Sequence, residues 1–143
     1  MATLKNALYA LLETDAKIDN VANLGGLIGM SSTAPYGVYF RNPPAIVNFE
    51  IYSVLTFFVN SMTRSVPASA KVRDIYINIT AWGVNYESIL DRVFALLDGA
   101  KLTGVTDYTP LLLAWDHAGP ELYDEDLRIY FQQHRFLAKG AKT

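Results

Sequence analysis

The two histidines carry the most obvious capacity for chemistry in this 143-residue chain, which has no cysteine. His117 follows Asp116, and four carboxylates come soon after it: Glu121, Asp124, Glu125 and Asp126. Histidine and carboxylates can together bind a metal ion or move a proton. The spacing lacks the paired histidines on one helical turn that mark many zinc enzymes. We therefore interpret the run as a solvated acidic turn and keep a small enzyme or ligand-binding domain, built on Asp116, His117 and Glu121, as the alternative.

No other motif predicts a catalytic site or a cofactor. The glycines of "NLGGLIGMS" fit neither the dinucleotide fingerprint nor a P-loop, and no nucleophile elbow surrounds any serine. His134 lies among glutamines and an arginine near the end of a predicted strand, which favours an exposed or interface histidine. The sequence therefore predicts a protein that is not an enzyme, with no cofactor and no metal.

Composition narrows the class of partner. Apolar residues make up 51% of the chain and charged residues 18%, which is apolar-rich for a small soluble monomer and favours buried partner surfaces. The formal net charge of −2 gives no basic excess for general nucleic-acid binding. Tyr76, Trp82, Tyr123 and Tyr130 could stack on bases, but no basic groove accompanies them, so a protein interface fits better. The N-terminus lacks the pattern of a signal peptide, and no apolar run is long enough to span a bilayer.

The elements that must position these residues follow from hydrophobic periodicity. We predict helices from Thr3 to about Asp15 and between Asn85 and Gly99, with strands near 36–41, 47–59, 72–82, 111–117 and 127–136. "NVANLGGLIGMSSTAP" is predicted as a loop, "AGPELYDED" as an acidic turn, residues from about 60 to 71 as a flexible loop, and residues from about 138 to 143 as a mobile tail. The order predicts one domain spanning residues 1–143. Its class is α+β, with a mostly antiparallel β-sheet and two α-helices packed on one face.

One strand raises a question of its own. Along "VRDIYINITAW", Ile75, Ile77 and Ile79 share one side, and the other side is semi-polar. That second side predicts either a subunit contact or a second core layer. Our candidates for a subunit interface are this side and part of the last strand, namely Tyr76, Asn78, Thr80, Trp82, Arg128, Tyr130 and Gln132. Candidates for a loop that orders on assembly are Met62, Arg64 and Lys71.

Three stretches resemble the tail terminator, or tail completion, proteins of long-tailed bacteriophages. They are "LKNALYALLETDAKI" leading to "APYGVYF", then "ASAKVRDIYINITAWGVNYESILDRVFALLDG", and finally "ELYDEDLRIYFQQHRF". The second resembles the most recognisable block of that family, a strand ending in Trp and a helix ending in Leu-Asp-Gly. The segment from about Asn42 to Pro67 departs from the family pattern by its greater length.

The resemblance implies a structural protein of the virion with a small α+β fold. It implies a homo-oligomeric ring, typically a hexamer, on the last ring of the tail tube, where it stops polymerisation and presents the surface that joins the head. The implied partners are further copies of the chain, the tail tube protein and a head–tail connector or neck protein. DNA would pass through the lumen without specific binding. Another neck or head-completion protein is the alternative within the same class.

Overall fold

The chain forms one mixed six-stranded sheet with three helices in a computed structural model that describes residues 3–43, 47–63, 72–102, 105–106 and 108–142. The helices are α1 (Leu4–Ala16), α2 (Leu24–Ile28) and α3 (Tyr86–Leu97). The strands are β1 (Val38–Phe40), β2 (Val54–Thr63), β3 (Val72–Trp82), β4 (Lys101–Leu102), β5 (Tyr108–Asp124) and β6 (Ile129–Lys142). Their order is β1-β2-β3-β6-β5-β4, and every pairing is antiparallel except the parallel pair β1 and β2. The predicted α+β class is confirmed, with a mixed rather than purely antiparallel sheet.

The hydrophobic core lies between the helices and one face of the sheet. Ile75, Ile77 and Ile79 of β3 are fully buried there, as the alternation along the strand predicts. They join one cluster with leucines of α1 and with the apolar stripe of α3, namely Leu4, Leu8, Leu12, Ile89, Leu90, Val93 and Leu97. Burying one such side chain contributes about 1.5–3 kcal/mol, so this helix-covered face accounts for the core.

The helix ends follow the sequence signals in part. The Thr3 hydroxyl accepts a hydrogen bond from the Asn6 N–H at 3.3 Å and caps α1, as predicted. Asn85 precedes α3 but does not cap it with its side chain. Its amide instead donates to the Leu27 carbonyl at 3.0 Å, which ties the start of α3 to α2. Gly99 follows α3 with a φ of +78°, the left-handed conformation of a helix stop.

Several predicted boundaries are wrong. The loop after α1 contains α2, and the strand predicted from residue 47 begins only at Val54. That strand then continues to Thr63, so the first four residues of the predicted loop at 60–71 pair with β3. The predicted mobile tail at 138–143 belongs to β6 as far as Lys142 and pairs with both β3 and β5. The ends of β2 and β6 are held by backbone hydrogen bonds to strands distant in sequence, and local sequence patterns do not reveal such bonds.

The β5–β6 hairpin replaces the predicted acidic turn. Strand β5 continues through "AGPELYD" to Asp124, and the turn is confined to residues 125–128. The register shifts between Ala118 and Glu121, around the Gly-Pro pair. Strand β4 pairs with β5 only at Leu111 and Leu112. Near Pro120, β5 is therefore not paired with β4, and the missing N–H of Pro120 costs no hydrogen bond to that strand.

Candidate assembly surface

Asp116 and His117 do not gather a metal site in the described part of the chain. Asp116 Oδ2 instead accepts a hydrogen bond from Arg135 Nε at 2.7 Å and lies 3.0 Å from His117 Nδ1. The bonds from Arg135 and then His117 hold the pKa of Asp116 below its ordinary value. A lowered pKa means a lower proton affinity, so this paired carboxylate is a weak general base at neutral pH. The pair is best described as an ionic contact across β5 and β6.

His134 is half-buried rather than exposed. It lies opposite Ile79 in the β3–β6 register and therefore points to the helix-covered side of the sheet. Its ring is 6.4 Å from that of Trp115, and burial lowers its pKa. The neutral ring therefore acts as a packing group at the margin of the core.

The glycine-rich segment serves close packing. A Cβ atom on Gly25 would collide with the carbonyl oxygen of Ile18, so only glycine lets α2 approach the chain after α1. The Leu24 N–H donates to Asp15 Oδ2 at 2.8 Å, which satisfies a free donor at the start of α2 with a carboxylate of α1. The segment is a structural joint between two helices.

The face of the sheet opposite the helices carries the semi-polar side of β3, and we call it the outer face. Tyr76, Asn78, Thr80 and Trp82 line its centre. The registers of β2 and β6 place further side chains beside them, namely Thr56, Phe58, Phe131, Gln133, Arg135 and Leu137. Residues paired across antiparallel strands point to the same face, so these side chains form one continuous surface.

Side chains on the outer face bind one another laterally. Trp82 Nε1 donates to Thr56 Oγ1 at 2.9 Å, and the Trp82 ring stacks on Phe131 with centroids 4.5 Å apart. The Arg135 guanidinium lies 4.4 Å from the centroid of the Tyr76 ring while its Nε binds Asp116. These contacts hold the aromatic and arginine side chains in place on the sheet.

The outer face is partly buried. Asn78, between its neighbours, is only 8% exposed, but Tyr76, Thr80 and Trp82 keep part of their surface in water. Among the described residues, the helices pack on the opposite face. A partly exposed surface of aromatic rings, amides and one arginine has the composition of a protein interface.

The other interface candidates lie elsewhere. Gln132 pairs with Ala81 on the helix-covered side, and its amide donates to the Gly119 carbonyl at 2.8 Å. Arg128 occupies the hairpin turn with a φ of +57°, and Tyr130 pairs with Tyr123 at the start of the hairpin. Met62 lies on β2 opposite Asp74, but its side chain is outside the described part of the molecule, as are Arg64 and Lys71.

Sequence reasoning missed the contribution of β6 to the outer face. Phe131, Gln133 and Arg135 alternate along "RIYFQQHRF", which is a period-2 signal in the sequence. That signal does not say which alternate set joins the Tyr76 side. The β3–β6 register decides it, since Trp82 pairs with Phe131 and Asn78 with Arg135.

Comparison with known proteins finds a fold neighbour that covers almost the whole chain. No protein-family model and no curated protein matches the sequence. Among solved structures, the chain is similar to one in the virion of a native gene transfer agent (GTA) particle. The TM-score is 0.61 and the identity 18%, over 96% of this chain and 97% of that one. This likeness shows a shared fold from end to end. No helix in the described ranges is long and apolar enough to cross a membrane.

Proposed function

We propose that the protein is a structural component of a phage-like virion and that it forms the ring that terminates the tail tube. The end-to-end fold likeness to a chain of a GTA virion carries the first part of the proposal. The resemblance of the "IYINITAW" strand and the following helix to tail terminators supports the second part. In this role the protein lies at the head-proximal end of the tail, is assembled in the host cytoplasm, and has no catalytic function.

The outer face suits a subunit that must bind several partners at once. A ring member contacts a neighbour on each side through two different patches, and a terminator also contacts the tube and the neck. The outer face offers preformed aromatic and arginine groups for such contacts. We propose Tyr76, Asn78, Thr80 and Trp82 as contact residues of this surface, with Arg135 and Phe131 added from β6. Arg128, Tyr130 and Gln132 remain proposals for separate contacts.

The proposed partners are further copies of the chain in a hexameric ring, the tail tube protein and a head–tail connector or neck protein. DNA would pass through the ring without specific binding, in keeping with the formal net charge of −2.

The test is removal of the protein during particle assembly, followed by measurement of tail lengths by electron microscopy. Tails of uncontrolled length without heads are expected, and the wild-type gene supplied in trans should restore both defects. Tails of normal length that fail to join heads would instead assign the protein to the neck. Normal particles in the absence of the protein would show that it has no role in assembly.

A further inference from the structure

The β5–β6 hairpin ends in a tip, residues 121–130, in which Ile129 is buried and several other large side chains are exposed. Leu122, Tyr123 and Tyr130 are 48%, 50% and 55% exposed, and the two tyrosine rings lie 4.9 Å apart. The same ten residues carry four carboxylates and a single guanidinium: Glu121, Asp124, Glu125, Asp126 and Arg128. Tyr123 and Tyr130 pair on one side of the hairpin, and Leu122, opposite Phe131, lies on the other side. An exposed aromatic pair with a charged rim is typical of a surface that binds another protein.

The other end of the sheet carries a complementary row. Lys101 of β4 and Lys139 of β6 both pair with Leu112 of β5, so the three side chains line up across three strands. Leu112 is 58% exposed and both lysines are exposed. Asp74 follows Lys139 in the same row on β3. Because Leu113 and Ala138 point into the core, the Lys101–Leu112–Lys139 row lies on the outer face, continuous with Tyr76 and Arg135.

We propose that the hairpin tip of one copy docks on the Lys101–Leu112–Lys139 row of a second copy. This inference rests on the proposed ring and names its contact. The tip offers the Tyr123–Tyr130 pair with an acidic rim, and the row offers Leu112 between two cations, so charge and hydrophobicity match. The two patches differ and lie at opposite ends of one sheet. Their contact is therefore heterologous, which is the arrangement that closes rings.

The length of the sheet sets the repeat of such a ring. Tyr130 and Lys139 are nine residues apart on β6, a separation of about 30 Å at the usual rise of a strand. Six subunits joined tip to row at that repeat form a hexagon about 60 Å across at the contact radius. A ring of this size is within reach of a chain of this length, without any extension of the hairpin.

The test combines charge reversal with sedimentation equilibrium of the full chain at low and high NaCl. Glu125→Lys with Asp126→Lys reverses the tip, Lys101→Glu with Lys139→Glu reverses the row, and the four-residue swap keeps the net charge of the wild type. We expect self-association of the wild type that weakens with salt and weakens at least tenfold in either double variant. The swap should recover most of the affinity. Asp19→Lys, a reversal of an exposed charge after α1, is the control and should change nothing.

The outcomes separate this contact from the role of the ring. A wild type that stays monomeric at low salt, or a swap that fails to recover while its circular dichroism spectrum is native, overturns the contact. Rings that ignore both reversals leave the terminator role intact and also overturn the contact. Recovery by the swap, together with normal tail lengths when the protein is removed, would keep the contact and overturn the terminator role.

Discussion

At the scale of single residues, the buried Asp15 carboxylate accepts hydrogen bonds from several elements. It is 5% exposed and receives Arg92 Nη2 and Nε from α3, the Leu24 N–H from α2 and the Asn23 amide. One carboxylate of α1 therefore joins all three helices. Burial by itself would raise its pKa, but the bonds from Arg92, Leu24 and Asn23 outweigh burial and hold the pKa below its ordinary value.

Replacing Arg92 tests how much this set of hydrogen bonds around Asp15 contributes to stability. Arg92→Met leaves the Asp15 carboxylate buried without its cation, and we expect the free energy of unfolding to fall by about 2 kcal/mol. This loss of stability is smaller than the loss on breaking a fully buried ion pair, because Arg92 keeps part of its surface in water. Urea unfolding followed by circular dichroism measures the change. Lys17→Met is the matched control, since its pair with Glu13 is solvent-exposed and its removal should leave stability unchanged.

The hydrogen bonds around Asp15 also predict that the stability of the fold depends on pH. The folded pKa of Asp15 lies below its unfolded value of about 3.9. The stabilisation that the ionised Asp15 gives the folded state is therefore complete above the unfolded pKa, and it is lost as the pH falls through the folded pKa. The stability difference between wild type and Arg92→Met should narrow below about pH 4 and stay constant from pH 5 to 7. A difference that is the same at pH 3 and pH 7 would show that Arg92 acts through packing rather than charge.

At the scale of elements, the turn from β3 into α3 depends on Gly83. Its φ is +111°, and a Cβ atom there would lie 2.7 Å from Ser53 Oγ, the same hydroxyl that accepts the Asn85 N–H at 3.1 Å. The turn therefore needs glycine for two independent reasons, its backbone conformation and its contact with Ser53. Gly99, at the other end of α3, shares the positive φ but has open space around it.

This contrast gives a paired prediction. Gly99→Ala should cost about 1 kcal/mol of stability, the strain of a left-handed alanine. Gly83→Ala should cost more, about 2–3 kcal/mol, because the steric clash with Ser53 is added to the same strain. Thermal unfolding of both variants measures the difference. Equal losses would mean that Ser53 moves aside without cost.

Two aromatic side chains of the outer face should respond differently to truncation. Trp82 stacks on Phe131 and donates to the buried Thr56 hydroxyl, so Trp82→Ala should lower stability by about 2 kcal/mol. Tyr76 lies under Arg135 at the surface, so Tyr76→Ala should cost under about 1 kcal/mol. We nevertheless expect Tyr76→Ala to weaken self-association at least tenfold, measured by sedimentation of the folded variant. Unchanged association would exclude Tyr76 from the interface.

At the scale of the whole molecule, the last strand joins the two halves of the sheet. Strands β1 to β3 come from the first part of the chain and β4 and β5 from the second, and β6 lies between β3 and β5. Phe136 and Ala138 of β6 are fully buried in the core. The sheet is therefore complete only when the C-terminal strand is in place.

Truncation tests the role of this strand. Removing residues 138–143 deletes the partner of Ile75 and Leu113, and we expect a large loss of stability, visible as a lower and broader thermal transition. Removing residues 141–143 keeps Ala138 and should cost much less. Native stability after the longer truncation would mean that the strand end contributes little, as the prediction of a mobile tail required.

The sequence by itself determined the two main helices, the β3 strand and the core side of each, because a period of 3.6 or 2 is a local property of the chain. It also indicated that the Tyr76 side of β3 is unlike a core. Tertiary structure decided which elements pair: the register that brings Arg135 over Tyr76, the extension of β5 and β6, and the three-helix joint at Asp15. Strand pairing and buried ion pairs connect residues distant in sequence, and no local pattern carries that information.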